Sequence, residues 1–204
     1  MIVVHSLAYS RAARVLWLLE ELGEPYEVVR YDRTEAYRAP PELATVHPLG
    51  KSPVIEDDGF VLAESATILR YLAATRGGAR FLPSGDARDV ARHDEWLDYA
   101  EGTLARLVAP FFWHALKGAE VPDGATDAIR PHLDHLSATV EGRHWLTGDT
   151  LRLADMQIMY QLAMLDLDGV LADWPAVAAY HGRLRDAPAL GRAVERMGPV
   201  MPPV

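Results

Sequence analysis

Ser52-Pro53 and Glu64-Ser65 lie close together in the stretch HPLGKSPVIEDDGFVLAESATILRYL, which runs from His47 to Leu72. Proline cannot donate to a β-ladder, so Pro53 must open a strand or lie on an edge, and the main chain of Ser52 is left available. With a cis Ser52-Pro53 bond, a minority state for X-Pro that is typical of tight functional turns, the N–H and C=O of Ser52 point outward and can pair with an extended ligand. Ser65 is expected to cap a helix whose apolar positions Ile68, Leu69 and Leu72 follow helical spacing. The first N–H groups of that helix, together with the Ser65 hydroxyl, suit a carboxylate, and Glu64 can accept from an ammonium. An amino-acid α-carbon carries both groups. The stretch therefore reads as a trap for a small peptide. The plainer reading, in which Glu64 and Ser65 merely begin a helix, is weakened by Pro53 upstream.

These residues need a scaffold, and the flanking sequence supplies one. Val54 and Ile55, the Asp58-Gly59 turn signal and Phe60, Val61 and Leu62 make a hairpin over residues 53–63. Ile2 to His5 is a short apolar strand, and His5 to Ser10 leads into a helix through Val15–Leu22, closed by Gly23 with Pro25 just beyond. Tyr26–Tyr31 alternates as a second strand, and residues 32–47, with Pro40-Pro41, read as a loop holding a short helix. The order β-α-β-α-β-β-α ends near Arg76-Gly77-Gly78 and implies a mixed sheet, since parallel strands need a helical crossover.

After the Pro/Gly linker Phe81–Asp86 no strand pattern returns, which predicts two domains, residues 1–80 and residues 86–204. The second is expected to be all helical. Trp96, Tyr99, Ala100, Thr103, Leu104, Leu107, Val108 and Phe111 mark one long helix with a single apolar face. Further helices are expected over 123–141, 153–167, 175–185 and 188–196, with the third-last of these apolar on most sides and so central. The tail MGPVMPPV has too many prolines to be regular.

Composition removes several function classes. The chain has 204 residues, half of them apolar, which is ample for a buried core. Its 29 acidic against 20 basic side chains give a net charge of -9, which argues against binding to nucleic acid or to anionic membrane surfaces. It has no cysteine, so disulfides, thiolate metal sites and a cysteine nucleophile are excluded, and any thiol chemistry must come from a ligand. The opening MIVVHSLAYSRAAR is not a basic leader, and no run approaches the ~20 apolar residues of a membrane span. The expectation is a cytoplasmic protein. His132 and His135, or His93 with Asp94, lack a convergent third ligand and are expected to be solvated, so no metal is expected.

A β-α-β-α-β-β-α domain carrying PLGKSP and AES, followed by helices with LTGDTLRLAD, resembles the cytosolic glutathione transferases over essentially the whole chain. The resemblance implies a thioredoxin-like α/β N-terminal domain with glutathione bound on it as co-substrate, an all-α C-terminal domain and a homodimer. It implies that Ser52, before the cis Pro53, pairs its main chain with the cysteinyl unit of glutathione. It gives the γ-glutamyl end to Glu64 and Ser65, and the glycyl end to Lys51 with His47 as a second candidate. The implied activity is attack of the glutathione thiolate on a small, largely apolar electrophile. The alternatives are a glutathione-dependent disulfide or peroxide reductase and a non-catalytic glutathione-fold binding module.

In that family a hydroxyl or cysteine at the start of the first helix engages the glutathione sulfur, and the pattern of serine, three residues, arginine matches Ser10 and Arg14. Ser10 is preferred to its neighbour Tyr9 because a helix start lets dipole and hydroxyl act on one atom, and Arg11 is a nearby cation. Lowering a thiol pKa by ~2 units takes about 2.7 kcal/mol. One charge-assisted hydrogen bond provides roughly 1.5 to 3 kcal/mol and a helix N-terminus about 0.3 to 1 more, so no general base is required. Without the trap downstream, Ser10 would read as an ordinary helix cap. Of the aromatic residues Tyr99, Phe111, Phe112, Trp113 and Tyr160, most read as core, and Phe112 and Trp113 are the better candidates for a co-substrate pocket. The family's usual Ser or Thr three residues before Asp155 is replaced by Arg152, so either Thr150 caps that helix or Asp155 acts from its first turn. Asp155 is expected to be structural.

Overall fold

Four strands, β1 (Ile2–Leu7), β2 (Tyr26–Tyr31), β3 (Val54–Asp57) and β4 (Phe60–Ala63), form one sheet in the order β2-β1-β3-β4 in the computed structural model, which describes Met1–Pro203. β1 runs parallel to β2 and antiparallel to β3, with His5 opposite both Val29 and Val54. The parallel pair needs a crossover, which α1 (Ala12–Leu22) provides. Ala12 through Leu19 are all buried, and Gly23 ends the helix in the left-handed region at φ 67°, its N–H returning to Leu19 O. The short α2 (Glu42–Val46) falls inside the expected loop, and α3 (Ser65–Thr75) follows the hairpin and buries Ile68, Leu69 and Leu72 as its spacing predicts. The β-α-β-α-β-β-α order is as read from the sequence, and the fold is a thioredoxin-like α/β domain joined to a helical one.

The second unit comprises Arg80–Asp186 with Met201 onward. Its helices are α4 (Ala87–Tyr99), α5 (Ala105–Lys117), α6 (Ala125–Val140), α7 (Leu153–Asp166) and α8 (Pro175–Arg185). Among the described residues it contains no strand beyond an isolated bridge between Trp145 and Gly148. The long helix expected through Trp96–Phe111 is present: α4 passes into α5 through a wide π-turn over Ala100–Leu104 whose backbone stays right-handed helical. Buried on nearly all sides, α7 is the centre of this unit. Asp155, fully buried in its first turn, accepts from Arg152 N and Leu146 N, both at 2.9 Å, and from Tyr180 OH at 2.6 Å. Asp155 thus holds α7's own start, the preceding turn and α8 together, and Thr150 is not needed as a cap. Burial pushes the Asp155 carboxyl up to about 6 despite these three donors.

One boundary differs from the sequence reading. Helix α9 (Pro188–Met197) belongs with Met1–Ala79 and not with the helical unit, so residues 86–204 do not form one domain. The apolar stripe Ala189, Leu190, Ala193 and Met197 is buried, and the polar side is tied down by Arg192, whose Nε lies 2.9 Å from Glu20 Oε2 on α1. Arg196 sits over the Tyr26 ring at 4.2 Å, and Tyr26 OH donates to Glu20 Oε1 at 2.6 Å. Helical periodicity shows that α9 buries one face but says nothing about which partner covers it.

Candidate functional site

The turn between β1 and α1 is built by Arg33. Its Nε donates to Ala8 O, its Nη2 to Tyr9 O and its Nη1 to Tyr37 O, each at 3.0 Å. Held at both carbonyls, the turn keeps Tyr9 in the left-handed region at φ 52°, an uncommon state for a bulky residue that needs such support. The next residue, Ser10, is thereby turned inward and is only 5% exposed, while Tyr9 and Arg11 stay half-buried. Arg11, not Ser10, occupies the helix N-cap, and it caps with no side-chain hydrogen bond. Ser10 Oγ instead accepts from Ala12 N at 3.3 Å from just outside the helix.

The bond between Ser52 and Pro53 is cis, as expected, and Pro53 is buried at the mouth of β3. Ser52 Oγ donates to His5 O at 3.0 Å, accepts from Leu7 N at 3.0 Å and lies 3.1 Å from Ser10 Oγ. The end of β1 and the start of α1, neighbours in sequence, meet the entry to β3, far along the chain, at this one hydroxyl. Among the described residues the main chain of Ser52 has no main-chain hydrogen bond.

Glu64 and Ser65 do not divide their work as the sequence suggested. Glu64 is the N-cap of α3, with φ 70° and ψ 110°, and no side-chain cap is made; its carbonyl accepts from Ile68 N at 2.8 Å. Ser65 is the first helical residue and hence not the cap. Its Oγ, buried, accepts from Nη1 of the fully buried Arg14 at 3.0 Å. A carboxylate-bearing residue at positive φ without glycine's freedom is an uncommon arrangement, and the Glu64 side chain is exposed. By spacing Arg14 reads only as the end of a pattern; the signal for its structural part is its position within an otherwise apolar helical run. Lys51 is exposed beside Ser52, and His47, half-buried at the end of α2, has its Nδ1 3.4 Å from Leu49 N.

In the second unit Phe112 is buried, with its ring 5.2 Å from that of Trp113 and 6.4 Å from that of Tyr160, whereas Trp113 is half-exposed with Lys117 Nζ 5.0 Å over its ring. Phe112 is thus core first. The histidines are not all solvated as expected: His93 is 1% exposed with Nδ1 3.1 Å from Asp94 Oδ1, because α4 turns that edge inward beside Trp96. His132 bonds Tyr99 OH at 2.8 Å, and the exposed His135 stacks on Trp96 at 5.2 Å. Among the described residues no cluster of three His, Asp or Glu side chains could hold a metal, and no helix is long and apolar enough to cross a membrane.

Residues 1–74 match the family model for the N-terminal domain of glutathione S-transferase. The chain is 43% identical over 114 residues to Glutathione S-transferase 3 of Schizosaccharomyces pombe, an alignment spanning 55% of this chain and 45% of that relative's length. Against the crystal structure of a glutathione S-transferase from Actinobacillus pleuropneumoniae the TM-score is 0.84 at 30% identity, covering 97% of this chain and 93% of that one. A sphingomonad glutathione S-transferase solved in complex with glutathione superposes with a TM-score of 0.78 at 25% identity, over 95% of this chain and 97% of that one. Close agreement with the Actinobacillus structure over nearly the full length of both chains, together with the matched N-terminal domain, establishes that this chain belongs to the glutathione S-transferase family.

Proposed function

We propose that this protein is a glutathione transferase: it binds glutathione on its first unit, ionises the thiol and directs the thiolate at an electrophilic, largely apolar small molecule. The observation that carries the reading is the 3.1 Å approach of Ser10 Oγ to Ser52 Oγ, which brings the proposed thiol activator beside the proposed main-chain partner of the cysteinyl unit. The glutathione-bound sphingomonad relative supports the choice of ligand.

In this reading the N–H and C=O of Ser52, after which Pro53 turns the chain, pair with the cysteinyl main chain. The γ-glutamyl carboxylate meets Ser65 and the first N–H groups of α3, where the helix dipole favours an anion, and Glu64 accepts from its ammonium. Lys51, with His47 second, takes the glycyl carboxylate. The sulfur meets the Ser10 hydroxyl, with Tyr9 the competing donor and Arg11 a nearby cation. The thiol proton leaves to solvent, and the remaining catalysis is proximity. Of the two apolar candidates for the electrophile, the half-exposed Trp113 is favoured over the buried Phe112. A homodimer, a cytoplasmic location and a detoxifying role accompany the proposal.

The test pairs calorimetric titration of glutathione with the ultraviolet thiolate signal of the bound tripeptide as a function of pH. Micromolar to millimolar binding with a depressed thiol pKa, followed by turnover with an aryl halide electrophile, is the expected result. Binding without thiol ionisation would instead favour the non-catalytic module, and absence of binding would overturn the reading.

A further inference from the structure

The hydrogen atoms in the Ser10 and Ser52 pair can be assigned by counting donors. Each hydroxyl has one hydrogen to give and two lone pairs. The His5 carbonyl can only accept, so the 3.0 Å contact from Ser52 Oγ uses the hydrogen of Ser52. The Leu7 N–H can only donate, so its 3.0 Å contact fills one lone pair of Ser52 Oγ. What remains on Ser52 is a single lone pair, and Ser10 Oγ stands 3.1 Å away. Ser10 must therefore be the donor in that contact. On its other side Ser10 Oγ accepts from Ala12 N. In this structure the hydrogen that the proposed chemistry assigns to the glutathione sulfur is given to Ser52.

We propose that the Ser52 side chain is a positioning residue that holds the Ser10 hydroxyl in reserve and competes with the glutathione thiolate for its hydrogen. This rests on the reading of Ser10 as the thiol activator. Binding of the thiolate turns the Ser10 O–H from Ser52 Oγ to sulfur by rotation about one side-chain bond. Ser52 keeps its bonds to His5 O and Leu7 N, so nothing else in the turn has to move. The thiolate gains a charge-assisted bond and Ser10 gives up a neutral one, so thiol activation is weaker than a Ser10 without this competitor would provide. The arrangement also fixes the serine rotamer before ligand arrives, because Ser10 is buried and anchored at both Ala12 N and Ser52 Oγ.

The experiment measures the thiol pKa of bound glutathione by its ultraviolet signal in the native protein, Ser52→Ala, Ser52→Thr, Ser10→Ala and the Ser10→Ala/Ser52→Ala double variant, with calorimetry reporting affinity separately. Ser52→Ala should lower the bound thiol pKa by about 0.7 unit, roughly fivefold more thiolate at a pH below both values, as expected for losing one competing neutral hydrogen bond. Ser52→Thr keeps the hydroxyl and should keep the native pKa, which also covers the case in which Ser52→Ala fails to fold: Ser52→Val then replaces it as the hydroxyl-free variant of the threonine's shape. The effect should vanish when Ser10 is already alanine, since the coupling runs through that hydroxyl. An unchanged or raised pKa in the hydroxyl-free variants, or a shift that persists without Ser10, overturns the proposal. Failure of the broader reading looks different: the native protein and every variant would then show no binding, or Ser10→Ala would leave a depressed thiol pKa untouched.

Discussion

Arg14 on α1 and Ser65 at the first turn of α3 are joined by a buried hydrogen bond of 3.0 Å, and the guanidinium that makes it is wholly shielded from solvent. The helix that follows the Ser10 turn and the helix that follows Glu64 are therefore tied at this point by a long buried side chain. Replacing Arg14 with methionine keeps the apolar stem and removes the donor. We expect Arg14→Met to lower the unfolding free energy by about 1 to 3 kcal/mol in urea titration, because a buried charge-assisted hydrogen bond is lost. Glutathione affinity should fall several-fold in the same protein. Unchanged stability with unchanged affinity would make the bond incidental.

Ser10 and Tyr9 are separable by substitution. Ser10→Ala should raise the pKa of the bound glutathione thiol by about one to two units, the equivalent of one charge-assisted hydrogen bond, and lower turnover at neutral pH accordingly. Tyr9→Phe should leave the pKa where it is, because Tyr9 takes part in the turn through its carbonyl, which Arg33 Nη2 holds. If Tyr9→Phe proves the damaging change, the roles are reversed.

Asp155 gives a pH dependence of a distinctive sign. Its carboxyl titrates near 6 in the folded protein, raised by burial from its ordinary value of 3.8. Between those values the native state holds the proton that the unfolded chain has lost, so this group's contribution to stability is largest below about pH 4 and declines until about pH 6, by roughly 3 kcal/mol. Denaturant unfolding across pH 4 to 8 should show that decline in the native protein and not in Asp155→Asn. Asp155→Ala, which orphans Leu146 N, Arg152 N and Tyr180 OH, should cost about 3 kcal/mol or more.

Asp57 should behave in the opposite sense. Arg76 Nη2 lies 2.5 and 2.6 Å from its two carboxylate oxygens and Tyr71 OH donates to one of them at 2.9 Å, tying β3 to α3. The hydrogen bond from Arg76 lowers the Asp57 pKa, so its contribution is complete above the ordinary carboxylate value and is lost as pH falls through the lowered one. Arg76 is about one-third exposed, which limits Asp57→Asn to about 1 kcal/mol at neutral pH and nothing at strongly acid pH, by thermal or urea unfolding.

Much of this was legible in the residues themselves. Gly23 and Pro25 end α1, Asp58-Gly59 turns the hairpin, and Pro53 marks the entry to β3, because each of these acts through the backbone of its own neighbourhood. The site residues Ser10, Ser52 and Ser65 were legible as types at suitable spacings. Their bonds were not. Ser65 reads as a cap by composition, but Glu64 takes the cap position at a positive φ and Ser65 is claimed by Arg14, a residue from another helix. His93 lies among polar neighbours in sequence and is buried because α4 packs that edge inward. The domain assignment of α9 escaped for the same reason: an amphipathic face declares that it will be covered and leaves the cover unnamed.

Helix α9 closes over α1 after the chain has passed through the whole helical unit, and this sets an order of events during synthesis. Until residues near Met197 leave the ribosome, Glu20 has neither Arg192 nor Arg196, and the apolar stripe of α9 that belongs against the first unit does not yet exist. A chain interrupted anywhere before α9 therefore carries a first unit whose α1 still lacks its cover.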